Sequence, residues 1–432
     1  MKLKHARCTL LATALLAAAL SSHAQSWETI LQLDSPLSGA ANSSRSILID
    51  PTSNNPTLPN LLVAGQVDGD SVKLHRLLQV PDPVECLRVP LDAGMGTLHS
   101  IATDLAGQTV YTAGEFAAGS STTAWAVRRS VDQGLTWTTP SAPFSLGGTV
   151  ALARGITVTA QGVAACGFAQ DAAGYMHWVV GTSGDGGTTW TYKKVFSSSG
   201  MADLSVGSHL VQASGMAQGA DGSLFVVGSR GTKSLGKWTV TKSRDGGNTW
   251  STVDSWLPPG RNASSRARKV AVDSGGRIFV LGDTGYGKET DPSPWVVRMS
   301  NDGGANWSTI FGPWSFSAYD VNPLPMDLTV DVHRNVWLAG GALEKVPVSQ
   351  SKGNVQYAYL RTALVVRLEN PANPLSVTWT HSVSAVSPVC EYPSLASSIT
   401  SDAYGRVYVN GRYRESATGP SQWFVKRLVT TF

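Results

Sequence analysis

Cysteine is scarce in this 432-residue chain, with four in all and no Cys-x-x-Cys pair. That removes the paired-thiol spacing of zinc and dithiol redox sites. Charge is also scarce. Asp, Glu, Lys and Arg make up 15% of the chain, a poor match to a coiled coil or a charged disordered segment. There is no His-Glu-x-x-His, no Gly-x-Ser-x-Gly, no phosphate loop and no dinucleotide fingerprint, and the eight His residues do not cluster. No basic run or RNA-binding motif occurs, so nucleic acid is not an expected partner. No cofactor and no metal are expected. Outside the N-terminus no apolar run approaches the length needed to span a bilayer, so no membrane segment is expected.

The N-terminus itself has a distinct plan. Lys2, Lys4 and Arg7 precede an apolar run from Leu10 to Leu20, followed by the small residues Ser22 and Ala24. This is the layout of a secretory signal peptide over residues 1–24, cleaved after Ala24. Residues 25–432 then form the working domain, secreted or periplasmic. Without residues 1–24 the net charge falls from +4 to +1, because Lys2, Lys4 and Arg7 go and no acid does. Cys86, Cys166 and Cys390 remain. An odd count allows one disulfide at most, and Cys86 with Cys390 is the expected pair. Cys166, in "VAACGF", reads as a small core residue.

What the chain does have is glycine, 44 residues of it, and a repeated phrase. "SVDQGLTW" (130–137), "SGDGGTTW" (183–190), "SRDGGNTW" (243–250) and "SNDGGANW" (300–307) share the frame Ser-x-Asp-x-Gly-x-x-Trp. Their Trp residues are 53, 60 and 57 positions apart. Each phrase follows an apolar strand, a Gly turn, a second apolar strand ending in Gly, a variable loop, and a strand opened by Trp. Worn copies begin near residues 46, 331 and 402, giving seven units. Four short strands per unit at this period predict an all-β fold, a single β-propeller of seven four-stranded blades, with six as the alternative. The last unit lacks its outer strand. "SWETILQL" (26–33) resembles the missing piece, so it is expected to pair with the C-terminal strand and close the ring.

The phrase lies between two strands, as a hairpin loop. Gly accepts positive φ, Asp bonds the backbone of its own turn, and Trp covers the turn with an N–H that needs a partner. A calcium loop is the alternative. It would draw on six to eight oxygens, and each copy offers one dependable carboxylate. Scaffold is therefore the expected role.

These four phrases are the Asp-box, or bacterial neuraminidase repeat. The chain resembles the Asp-box propeller families, which include sialidases, xyloglucan-active hydrolases, sortilin-type receptors and photosystem II assembly factors. The resemblance implies the fold, and leaves function open. The sialidase pattern would place an Arg in a Phe/Tyr-Arg-Ile-Pro phrase before the first blade. Here "SSRSILID" keeps Arg45 without the aromatic or the Ile-Pro pair. A hydrolase would also need two facing carboxylates. Glu115 and Asp283 follow the closing Gly of their second strands and, with Tyr413, are the candidate catalytic residues.

A binding site is expected around the axis, on the face opposite the Asp turns. Counting back from the Gly that ends each second strand puts Arg45, His99 and Arg268 at matching starts of inner strands, with Arg154 one place along. Loops of that face add Arg230, Tyr286, Arg412, Tyr413 and Arg414, and Glu415 among the acids. Guanidinium groups suit a carboxylate or sulfate, and Tyr faces suit sugar rings. Two function classes follow. One is a monomeric binding module for a glycan or an acidic protein ligand, and the other is a glycoside hydrolase.

Overall fold

The computed structural model describes residues 26–33, 43–50, 59–67, 71–78, 85–90, 95–104, 108–119, 121–139, 142–198, 211–231, 236–259, 264–285, 294–314, 324–351, 354–370, 381–385, 394–414 and 421–429. Among them every regular element is a strand. β1 (Ser26–Leu33) opens the chain. The first sheet is β2 (Ser43–Ile49), β3 (Leu61–Val67), β4 (Ser71–Leu78) and β5 (Glu85–Pro90). The second is β6 (Met95–Thr103), β7 (Val110–Ala117) and β8 (Thr123–Ser130). Next come β9 (Gly147–Thr159), β10 (Gly162–Asp171), β11 (Met176–Ser183) and β12 (Thr191–Ser197), then β13 (Gln212–Gln218), β14 (Leu224–Arg230), β15 (Lys237–Ser243) and β16 (Ser251–Trp256). They are followed by β17 (Ser265–Val272), β18 (Ile278–Thr284), β19 (Trp295–Ser300) and β20 (Ser308–Trp314), and by β21 (Leu324–Val330), β22 (Val336–Ser351), β23 (Asn354–Leu368) and β24 (His381–Ala385). The last sheet joins β25 (Leu395–Ser401), β26 (Val407–Tyr413) and β27 (Gln422–Val429) to β1.

All pairings within these sheets are antiparallel, and the innermost strands β2, β6, β9, β13, β17, β21 and β25 touch in that order, with β25 returning to β2. The chain is a β-propeller. β1 closes it as the sequence predicts, pairing from Ser26↔Val429 to Leu33↔Trp423.

The blade count needs correction. Six sheets have four strands, the alternative number, and the sheet β6–β8 has three. Among the described residues seven four-stranded blades are not formed. The missing outer strand falls in "TTPSAPF" (138–144), where Pro140 and Pro143 remove backbone donors. Among the described residues there, isolated bridges stand in its place, Arg129↔Thr138 and Trp125↔Phe144.

Middle strands are buried on both faces, which explains their continuous apolar text. Every residue of β18 and β19 is buried. Adjacent blades interlock through the Trp near the start of the third strand and the Gly ending the second strand of the next blade. Trp178, Trp238 and Trp295 are fully buried. Trp178 Nε1 donates to the Ser229 carbonyl at 3.1 Å. A Cβ on Gly282 would lie 2.4 Å from the Trp238 ring and 1.9 Å from the Arg266 carbonyl oxygen, so only Gly fits. Cys166 is fully buried and free. Cys390 and the side chain of Cys86 lie outside the described residues, and so does their expected bond.

The four Asp-boxes share one geometry. Ser243 Oγ donates to Asp245 Oδ1 at 2.8 Å and accepts from the Gly247 N–H at 2.9 Å. Asp245 accepts from the Thr249 N–H at 2.9 Å and its hydroxyl at 2.6 Å, and Trp250 Nε1 donates to the Gly247 carbonyl at 2.9 Å. Gly246 and Gly247 have φ of 69° and 97°, the left-handed region that favours glycine. Both carboxylate oxygens thus serve their own turn. The Thr249 hydroxyl and N–H, followed by Ser243, hold Asp245 down at about 2. Ser130 and Thr136 hold Asp132 at about 2, and Thr189 and Ser183 hold Asp185 lower still than an ordinary carboxylate. The boxes are scaffold.

Candidate functional site

Each inner strand carries a β-bulge, within the first five residues in six of them and midway along the longer β9. The pairing skips one residue between Ser44 and Ser46, Leu98 and Ser100, Ala213 and Gly215, Ala267 and Lys269, Pro325 and Asp327, and Ala396 and Ser398. In β9 the skip falls between Ala153 and Gly155. The extra residues are Arg45, His99, Arg154, Ser214, Arg268, Met326 and Ser397. In every case the residue before the bulge sits opposite the Gly that ends the second strand. A bulge re-aims the side chain it carries. Here the effect is a ring. His99, Arg154, Ser214, Arg268, Met326 and Ser397 line one cavity of about 300 Å³. Arg45 occupies the equivalent backbone position in β2, and its side chain lies outside the described residues. Arg154 is therefore in register with the others, and the one-place offset read from sequence is corrected. Arg154 stands 13 positions before Gly167, whereas Ser214, Arg268, Met326 and Ser397 stand 14 before their Gly, and this one-residue difference displaced the count.

Arg266, Lys269, Phe168, Gln212, Ala213 and Ser229 complete the wall. The Arg154 guanidinium stands 3.5 Å from His99 Nδ1 and lies over the Phe168 ring, 5.6 Å from its centroid. Asp283 is fully buried behind this wall. It accepts from Arg266 Nε at 3.0 Å and from Arg268 Nε. Those two side chains remain 18% and 24% exposed, so Asp283 anchors guanidinium groups whose outer surfaces reach solvent. Among the described residues lining the cavity there are four cations, Arg154, Arg266, Arg268 and Lys269, and no Asp or Glu.

One residue deeper along each strand lies a smaller cavity of about 160 Å³, lined among others by Ser46, Ser100, Gly155, Lys269, Asp327 and Ser398. Lys269 Nζ lies 3.8 Å from Asp327 Oδ1. Asp327 also accepts from the Ser398 hydroxyl and from the Ile399 N–H at 3.2 Å. The Ile47 N–H donates to Ser398 Oγ at 3.3 Å. This polar network forms a floor beneath the cationic ring.

The other candidates fall elsewhere. Glu115 lies opposite Trp125, two residues before the end of β7, and two complete blades separate its sheet from that of Asp283. These two carboxylates do not line the cavity together. Arg230 stacks over Phe196, 4.7 Å from the ring centroid. Tyr413 packs toward Phe424 at 6.3 Å between ring centroids. Arg412, Tyr413 and Arg414 are not among the lining residues. Tyr286 and Glu415 lie outside the described residues. Sequence reasoning missed Arg266 and Lys269. The signal for Arg266 was the strand register: once Ala267 is set against Gly282, Arg266 falls opposite Asp283. Among the described residues no group of three or more His, Cys, Asp or Glu is gathered as a metal site would require.

Residues 108–360 match a family model described as the BNR repeat-like domain. No curated protein matches the chain. Among solved structures, one is a protein of unknown function from Dyadobacter fermentans, 14% identical, covering 77% of this chain and 95% of its own, with a TM-score of 0.44. Another is the α-L-arabinanase of Penicillium chrysogenum, complexed with arabinobiose, 14% identical over 76% of this chain and 92% of its own, TM-score 0.42. The sialidase of Trypanosoma rangeli, in complex with the inhibitor DANA, is 14% identical over 81% of this chain and 56% of its own, TM-score 0.42.

Proposed function

This chain belongs to the BNR repeat-like domain family, and from that premise we propose that it is a binding module whose axial cavity takes the acidic group of a glycan. The observation that carries this reading is the lining of the cavity: four cations, with no carboxylate among the described lining residues. A pair of arginines held by a buried acid is pre-organised, and a guanidinium offers paired donors to a carboxylate or sulfate. Phe168, buried beneath Arg154, supports that guanidinium from behind and helps to fix its position. A hydrolase would need two carboxylates facing the bound sugar, whereas Asp283 is occupied by Arg266 and Arg268, and Asp327, in the floor below, faces Lys269 and accepts from Ser398 and Ile399. The basic start and apolar run before residue 24 support export, to the periplasm or beyond the cell. Pairing of β1 with β27 completes the last blade and ties the two ends of the described chain together, which supports a self-contained monomer.

The test is calorimetric titration with sialic, glucuronic and galacturonic acids. Arg154→Met with Arg268→Met should lower affinity for the bound acid at least about tenfold. Its thermal midpoint should stay within a few degrees of the parent, because Arg266 still holds Asp283. Undiminished binding, or hydrolysis of the corresponding glycosides by the parent protein, would overturn the reading.

A further inference from the structure

One second-to-third-strand connection departs from the rest. In the other described blades these strands stop within four residues of the Gly that marks the end of the second strand. β22 and β23 instead stay paired from Val336↔Leu368 to Ser351↔Asn354. The inner strand β21 supports β22 only from Val336 to Gly341, and β24 supports β23 only from Leu364 to Leu368. Residues 342–351 and 354–362 therefore leave the blade as a two-stranded ribbon, roughly 30 Å long at about 3.3 Å per residue.

The root of the ribbon is at the cavity. Gly341 pairs with Leu324, two residues before Met326 in the cavity wall. The ribbon thus grows from the face on which the inner strands begin, where the cationic ring opens. In repeat folds an insertion in one unit falls on one face, often the binding face. The sequence of the insertion fits the same ligand chemistry. Between residues 343 and 361 it holds Lys345, Lys352 and Arg361 against Glu344 alone, together with Tyr357 and Tyr359. Leu343↔Arg361, Lys345↔Tyr359 and Pro347↔Tyr357 are alternate rungs of the ladder. The cavity, at about 300 Å³, is at the small end of ligand pockets. A chain seated there has to continue outside it.

We propose that the ribbon is a second binding element for the ligand of the axial cavity, and that this ligand is an extended acidic polysaccharide. One acidic sugar occupies the cavity and the following sugars run along the ribbon. This inference rests on the cavity reading above. Joining two weak contacts through one chain raises affinity by effective concentration, without a stronger contact at either.

The test compares galacturonic acid with a homogeneous decagalacturonate, by titration of the whole protein. In a shortened variant, residues 343–361 are replaced by Asn-Gly between Ala342 and Thr362, which are register partners and so suit a two-residue turn. Its affinity for the monomer should stay within twofold of the parent, and its affinity for the decamer should fall at least about tenfold. A second variant, Lys345→Ser with Arg361→Ser, keeps the ribbon and should lose decamer affinity about threefold or more, with a shallower salt dependence. A sulfated galactan decamer separates the two acid types, and a neutral galactan decamer should bind neither protein. Decamer affinity unchanged in both variants while the monomer still binds would overturn the ribbon's role alone. A parent protein that binds neither acidic probe would remove the cavity reading, and the ribbon's role with it.

Discussion

Asp283→Asn separates an anchor from a catalyst. The carboxylate is fully buried and accepts from Arg266 at 3.0 Å and from Arg268. Asn keeps the shape and one acceptor, but turns a donor toward a guanidinium N–H and leaves two cations without their acid. Breaking a buried ion pair from one side costs about 3–5 kcal/mol. The Arg266 and Arg268 side chains are 18% and 24% exposed, so water takes up part of the loss and the low end applies, about 3 kcal/mol. Unfolding entropy of about 2.1 cal/mol/K per residue, over roughly 400 residues, converts this to a thermal midpoint lowered by about 4 °C. Differential scanning calorimetry measures it. Glu115→Gln should shift the midpoint by less than about 1 °C, since Glu115 is half-buried near the end of β7 and makes no such buried ion pair among the described residues. A midpoint for Asp283→Asn equal to the parent's would refute the anchoring argument. So would loss of a hydrolytic activity without loss of stability.

Three further outcomes follow from the same geometry. Gly282→Ala forces a Cβ against the Arg266 carbonyl and the Trp238 ring and should destabilise by about 3 kcal/mol or more, read from urea midpoints. Burial pushes the Cys166 thiol up to about 12 from an ordinary 9.0. It should stay unreactive to a thiol reagent in the folded protein at pH 8. Its share of stability, whole below pH 9, should fall as pH rises toward 12, because the unfolded chain ionises first. Asp132 and Asp245 run the other way. Their own turns hold them at about 2, so their contribution is present above pH 4 and lost as pH falls toward 2. Asp132→Asn with Asp245→Asn should flatten the acid limb of the melting curve.

The fold was legible because the repeat writes its local rules into text. Asp and Gly fix each box turn, and Trp and Gly fix each blade contact. β1 was recognisable as an outer strand from "SWETILQL" alone, since it shares the Trp-opened pattern of "NWSTI". The three-stranded sheet was missed because repeat counting ignored Pro140 and Pro143, which local backbone chemistry does not ignore. At the site, the Gly anchor found His99, Arg154 and Arg268. It could not show that the common feature is a bulge, since an extra residue in one strand appears only when its partner is known. Asp283 read as a free acid for the same reason. Its occupation by Arg266 and Arg268 depends on register across two strands and on depth behind the ring. Arg230 and Tyr413 were drawn into the site by loop position, whereas aromatic neighbours, Phe196 and Phe424, take up their surfaces.

The most direct test of the cationic axial site is a titration of the folded protein with galacturonic acid beside its uncharged methyl ester, at low and at physiological salt. The sugar ring is the same, and only the charge differs. A site built from Arg154, Arg266, Arg268 and Lys269 predicts that the acid binds at least about tenfold more tightly than the ester. It also predicts that the advantage shrinks as salt rises. Equal affinity for the two, or a preference for the ester, would contradict it.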